Sequence, residues 1–455
     1  MKKTEAMISV EPTKAILGFA FPLILGNVFQ QLYTFIDTII VGKMIGLEAL
    51  AAVGTTEWIS FLMFGMIQGT TQGFSVYIAQ KFGAADYKLM RKGIINSFYL
   101  SAICSIIFLT IGQGLLGVVL KMLKTPDTIL EIAMCYLSVL YYGIPISFMY
   151  NLLASILRAL GNSHTPLMAI TISSGVNIVL DYLFVIWFNA GVFGVALGTV
   201  LAQLIATIIC IYKLKGYIVL RFESDERLFS KDICKEQLRL GIPMGLQNII
   251  TSIGGLVVQT VVNSFGVVFI AAHTAATKLY GLLETAASSY GYAVSTFVGQ
   301  NYGAKRLGRV RQGMISASAI GVISALFMSA IMILEGYKIL MLFISGNVEN
   351  VRDALLIGSE YLKILAMFFP LLYLLYIWRA CIQGMGNTFL PMLSSVLQLI
   401  MRVFCALILT QYVGNQGIFW GEVLAWVAAD VFLLICYIQI INSKVKNDYD
   451  KIVGE

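Results

Sequence analysis

The sequence predicts an all-α membrane protein. Twelve transmembrane helices are expected, in two six-helix lobes related by a pseudo-two-fold axis along the membrane normal. Three observations carry this reading: an apolar composition, apolar runs of membrane-crossing length, and an internal repeat. Apolar residues fill 58% of 455 positions and charged ones only 12%, with a mean hydropathy of +0.84, far from the balance of a soluble chain.

Apolar runs of about 20 residues, the length a helix needs to cross roughly 30 Å of hydrocarbon, recur along the whole chain. Their cores fall at 16–41, 54–78, 94–120, 132–157, 166–188, 194–213, 241–265, 272–298, 314–335, 355–378, 389–411 and 419–441. Short alternating segments of the kind a barrel needs do not occur. The first run is too long and starts too late for a cleaved leader, so it is expected to stay in the membrane. The net charge of +7 is spread by topology: about 23 of the Lys and Arg fall in the termini and alternate loops, and about 5 in the opposite loops, placing both termini in the cytoplasm. The basic loops therefore read as topology signals rather than as a nucleic-acid surface. The seven cysteines are scattered without paired spacing, which points to neither disulfides nor zinc.

YIAQKFGAAD at 77–86 returns as FVGQNYGAKR at 297–306, pairing Gln80 with Gln300, Gly83 with Gly303 and Ala84 with Ala304. LRALGNSHTP returns as IQGMGNTFLP, pairing Gly161 with Gly386, Asn162 with Asn387 and Pro166 with Pro391. Pro22 pairs with Pro243 and Asn27 with Asn248, so the whole first half repeats in order. Six spans per copy is an even number, so both copies enter from the same side. The expected division is an N-terminal lobe at 1–214, a charged cytoplasmic linker at 215–240, a C-terminal lobe at 241–441 and a cytoplasmic tail at 442–455. The repeated Gln-x-x-Gly-Ala is read as a structural turn at the inner face.

Function is sought where the copies disagree. Asp37 stands opposite Val258, and Asp181 opposite about Ala406, so both intramembrane acids belong to the first half. Gln30, Tyr33 and Asp37 are spaced i, i+3, i+7 on one helix face, and Ser174, Asn177 and Asp181 repeat that spacing. Counted from the ends of their spans, Asp37, Asp181 and Thr199 reach a common depth, within roughly 6 to 11 Å of the outer boundary at about 1.5 Å per residue. Two carboxylates, an Asn oxygen and a Thr hydroxyl can hold Na⁺ as a hard-oxygen cage, or a proton shared between the acids. A purely structural use, pinning helices together, stays open.

Other buried charges suggest less. Arg402 and Asp430 share a depth and are expected to form an ion pair. Glu284 lacks a partner on its own helix and is a candidate contact for a cationic substrate; Glu422 reads as interfacial. His164 and His273 read as ordinary polar residues. Met and Tyr are plentiful enough to line an adaptable pocket, or simply to fill a membrane core. No phosphate-binding loop is present, and no nucleophile–base pair points to an enzyme.

Together, the Pro-x-x-x-x-Asn opening of each half, VGQNYGA after the eighth span and NIVLDYLF in the fifth resemble the multidrug and toxic compound extrusion (MATE) family over essentially the whole chain. The acid within YTFIDTIIVG is similar to that of the DinF-like branch, whereas the glutamate expected in the seventh helix of the NorM-like branch is here Thr251. The resemblance implies a cation or proton site of Asp37, Asn177, Asp181 and Thr199. It further implies a substrate cavity lined by Gln30, Tyr33, Asn151 and Ser174, and a first helix able to bend at Pro22. It also implies export of amphipathic, often cationic organic compounds, driven by inward Na⁺ or H⁺ across the cell membrane, with no further cofactor, no nucleic acid and no obligatory protein partner. The alternative is a lipid-linked oligosaccharide flippase of the same superfamily.

Overall fold

The computed structural model describes residues 6–123, 125–341, 343 and 348–453, so the first five residues of the expected N-terminal lobe and the last two of the tail lie outside the described residues. Every long element is helical. Helices α1 (Ala6–Ser9), α2 (Pro12–Ile40), α3 (Leu47–Gly83), α4 (Tyr87–Met122), α5 (Asp127–Tyr142), α6 (Ile144–Ala159), α7 (His164–Tyr182) and α8 (Gly191–Lys215) form the first copy. Helices α9 (Lys231–Asn263), α10 (Val267–Gly303), α11 (Leu307–Leu340), α12 (Val348–Gly384), α13 (Phe389–Phe404), α14 (Thr410–Val413) and α15 (Gln416–Val453) form the second.

Among the described residues, ten helical segments are long and apolar enough to cross a membrane. The fourth expected span is a bent pair, α5 and α6, which meet at 49° where Gly143 precedes Ile144-Pro145. Proline is tolerated here because position N2 of a helix carries no intrahelical N–H bond. The eighth span, α10, has 37 residues, ample for a crossing, but Thr274, Thr277, Lys278, Glu284 and several serines make it the least apolar of the set. Counting the bent pair once and α10 with the rest gives twelve.

The repeat is written into the backbone as well as the sequence. Positive φ recurs at Gly46 and Gly266, at Ala85 and Lys305, and at Gly161 and Gly386. A π-helical turn closes α7 at Leu183–Trp187 and another closes α13 at Cys405–Leu409; a third, Val41–Ile45, closes α2. Two of the three follow an acid, Asp37 or Asp181, within one turn, and single π turns often mark places where a helix gives up regular bonding for function.

Two compact units can be distinguished. The first holds 17–249 with 1–10 and 299–306; the second holds 250–298 and 307–455 with 11–16. The first therefore takes in the beginning of α9, so its boundary falls inside a helix. In this unit the linker is fastened to α4: Arg91 donates from Nε and Nη2 to the two carboxylate oxygens of the fully buried Glu226, and Ser230 N donates to Asn96 Oδ1. The repeated loops meet here too. A side chain at Gly83 would run into the carbonyl of Gln300, and one at Gly303 into the carbonyl of Gln80. The Gln-x-x-Gly-Ala turns are glycine-bearing because backbone meets backbone, and Gln300 Nε2 adds a bond to the carbonyl of Ala159.

Candidate cation site

Asp181 is fully buried on α7, one turn after Asn177, whose Nδ2 donates to Asp181 Oδ1 at 3.1 Å. That spacing comes from the i, i+4 geometry of a helix. Asp37, near the end of α2, brings its carboxyl within hydrogen-bonding reach of Asp181. Tyr33 and Tyr136 both lie in the field of the two acids. Helix α8 completes the wall. Gly198 lies so close to Asp181 that a Cβ would collide with Oδ1, and only a residue without a side chain lets this acid lie against the α8 backbone.

Beside the acids is a small cavity of about 40 Å³ lined by Gln30, Tyr33, Tyr150, Ser174, Asn177, Thr199 and Gln203, with Ile170, Ser173, Ala202 and Ala206. Thr199 Oγ1 donates to the Val195 carbonyl, leaving its lone pairs for the cavity. Several buried polar atoms here have no hydrogen-bond partner: Asp37 Oδ1, Asp181 Oδ2, Asn177 Oδ1 and Ser174 Oγ. Three of these are carbonyl or carboxylate oxygens, acceptors left without a donor. Two ionised carboxylates in contact repel, so this arrangement calls for a proton or a cation between them. Uncompensated acceptors of this kind suit either. A larger groove along α13, lined by Leu399, Ile400, Val403, Phe404, Leu407 and Ile408, is wholly apolar and offers no such chemistry.

Asn151 does not line this cavity. Its Nδ2 donates to the Ser147 carbonyl within α6, and its neighbour Tyr150 takes the place expected for it. Pro22 lies within α2 and is buried. The sequence reading missed Gly198, Gln203 and Tyr136. Gly194-x-x-x-Gly198 is the spacing that lets helices approach closely, and Gln203 follows Thr199 by four residues on the same face. Both signals were present in the sequence.

The second half arranges its charges differently. Arg402 does not pair with Asp430; its Nη2 meets Glu422 Oε2 at 2.7 Å, with both side chains nearly buried, and its Nη1 reaches the Thr251 carbonyl. Depth alone had matched Arg402 to Asp430, but depth says nothing of direction around the helix axis. Glu422 is thus part of a buried pair rather than interfacial. Glu284 has a partner on another helix, Tyr376, whose hydroxyl donates to Oε1 at 2.8 Å. Tyr280 lies in the field of Glu284 and Glu422 and stacks on Trp426, 6.1 Å between ring centroids. His273 is held between Phe269 and Tyr361. Arg379 was overlooked, although a charge inside an apolar span is itself a signal.

Comparison with known proteins settles the lineage. The MatE family profile matches residues 22–183 and again 243–408, the same tandem duplication that the sequence shows. The chain belongs to the MATE family. It is a membrane transporter rather than an enzyme. A probable multidrug resistance protein of Bacillus subtilis, YpnP, is 29% identical over 414 residues, covering 90% of this chain and 91% of that one. Among solved structures, a MOP superfamily transporter from Pyrococcus furiosus, described as having a binding pocket of reverse polarity, superposes with a TM-score of 0.90 at 25% identity, covering 97% of this chain and 98% of the other. A MATE transporter in a bent conformation superposes at 0.89, and a straight conformation at 0.88, each at 25% identity and covering 98% of this chain and 99% of the other.

Proposed function

We propose that this MATE transporter is an antiporter that exports amphipathic organic cations and is driven by a cation, Na⁺ or H⁺, entering at Asp37 and Asp181. The observation that carries the reading is the pair of facing carboxyls with their unpartnered oxygens, backed by Asn177 and Thr199. Such a site is empty of countercharge until an ion arrives, so occupancy changes its charge and its hydrogen bonding together. Gln30, Tyr33 and Ser174 adjoin it and would contact the substrate, so that ion and drug compete for one polar cavity. Asn151 supports the wall from α6. In the second half, Glu284 with Tyr376 and Tyr280 offers an acidic, aromatic contact for a cationic group. Pro22 breaks the hydrogen-bond ladder of α2, and a bend there would reposition Asp37 when the charge state changes. Alternating access is carried by the lobes 1–214 and 241–441, joined through 215–240, with both termini and the 442–455 tail in the cytoplasm.

The test is efflux of a fluorescent cationic dye from proteoliposomes, first under an imposed Na⁺ gradient and then under a pH gradient, with Asp37→Asn beside the native protein. Efflux driven by one gradient and lost in the variant supports the reading and names the ion. Dye that moves under neither gradient sinks it, and transfer of a lipid-linked oligosaccharide between leaflets is then the activity to assay.

A further inference from the structure

Asp430 sits in the middle of α15, 4% exposed, and neither of its carboxylate oxygens meets a hydrogen-bond partner. Helix α15 packs against α12, α13 and the π turn that follows α13. Those elements carry Tyr376, Arg379 and Cys381, then Arg402, then Cys405. Trp426 of α15 also stacks on Tyr280 of α10, the helix that carries Glu284, a charge that also acts on Arg379. Arg402 is taken by Glu422 on α15 itself. Arg379, 6% exposed, is the charged group that acts on Asp430, yet the two are not in ion-pair contact. Its Nη2 donates instead to two neutral oxygens on α13, Ser394 Oγ and Gln398 Oε1, and its Nε has no partner.

A bare carboxylate in a dry interior is costly, and a guanidinium nearby with a free N–H would draw it in. That the two stay apart, with Arg379 bonded to neutral oxygens, is the arrangement expected when the acid is protonated. We propose that Asp430 is a proton-binding site, confined to the second unit and sharing no residue with the cation site of Asp37 and Asp181. The ligand is a proton drawn from bulk water. When it leaves as hydronium, the carboxylate that remains turns to the free Nε of Arg379, and the pair becomes self-neutral. Proton binding thus exchanges an ion pair among α12, α13 and α15 for a neutral acid, and alters how those helices are tied together.

Infrared difference spectroscopy of the full chain in liposomes, titrated from alkaline to acid pH, reads this directly. The expected result is a carbonyl-stretch band of a buried carboxylic acid that grows on acidification, is lost in Asp430→Asn and persists in an Asp37→Asn, Asp181→Asn double variant. Should Asp430→Asn fail to fold, Arg379→Gln keeps the question open to measurement. Removing the neighbouring cation favours the protonated acid, so the midpoint of the band should move to higher pH by about one unit or more. An Asp430→Asn spectrum identical to the native one, a band that does not vary with pH, or an unmoved midpoint in Arg379→Gln overturns the proposal.

Discussion

The two halves share a fold but bury charge in opposite ways. In the first, Asp37 and Asp181 face each other with amide, hydroxyl and phenol groups around them, and among the described residues no Lys or Arg is bonded to either. In the second, Arg402 is already paired with Glu422, and Glu284 already accepts from Tyr376. A pair that contains its own counterion is complete and has little reason to exchange ions with the solvent. A pair of acids is incomplete, and something mobile must complete it. The same helical scaffold thus holds the acid pair of one half ready for an exchangeable cation, whereas in the other Glu422 and Glu284 are braced and Asp430 is left without a bonded partner.

Substitutions that break this contrast should do so unequally. The largest effect is expected at the acids: Asp181→Asn or Asp37→Asn should reduce gradient-driven dye efflux to that of empty liposomes while the protein still inserts and purifies. Retained coupling in both variants would remove the acid pair from the mechanism. Next comes the brace. Arg402→Met leaves Glu422 buried without its partner and should destabilise the chain by about 3 to 5 kcal/mol, whereas adding Glu422→Gln should recover much of the loss; thermal unfolding in detergent measures both. If the single and double variants unfold alike, the pair is not a brace. A smaller change is expected from Tyr376→Phe, which removes the donor to Glu284. It should raise KM for cationic dyes by about tenfold or more through one lost hydrogen bond to a charged group, worth about 1.5 to 3 kcal/mol, and leave the driving ion unchanged. An equal change for a neutral substrate would count against a cation contact there. Smallest of all is Asn151→Ala, since this side chain bonds to the Ser147 carbonyl within α6 and does not line the cavity; efflux kinetics should stay within about twofold, a few tenths of a kcal/mol.

How much of this was legible depended on whether the information was local. All twelve spans follow from apolar run length; α10, with its threonines, Lys278 and Glu284, is the most polar of them, and the bend between α5 and α6 at Gly143 and Pro145 was not anticipated. Helical spacing placed Asp181 with Asn177 and Asp37 with Tyr33, because residues one or two turns apart on a helix must share a face. Contacts across helices were harder. Gly198 against Asp181 and Tyr376 against Glu284 depend on how helices are rotated about their axes, which position along the membrane normal leaves open. The assignment of Arg402 to Asp430 failed for that reason, and Asn151 was placed in the cavity where Tyr150 stands.

The joint between the two Gln-x-x-Gly-Ala loops has a consequence for how such a chain can vary. Gly83 meets Gln300 and Gly303 meets Gln80, so exchanging the copies maps the contact onto itself. That reciprocity belongs to the interface of a symmetric homodimer, here enclosed within a single polypeptide. In a true dimer one codon would set both sides at once. After duplication each side is encoded separately, yet backbone still meets backbone at both crossings, so a side chain gained by either glycine must displace the other copy's loop. Where the two loops touch, the chain still carries the constraint of being its own partner.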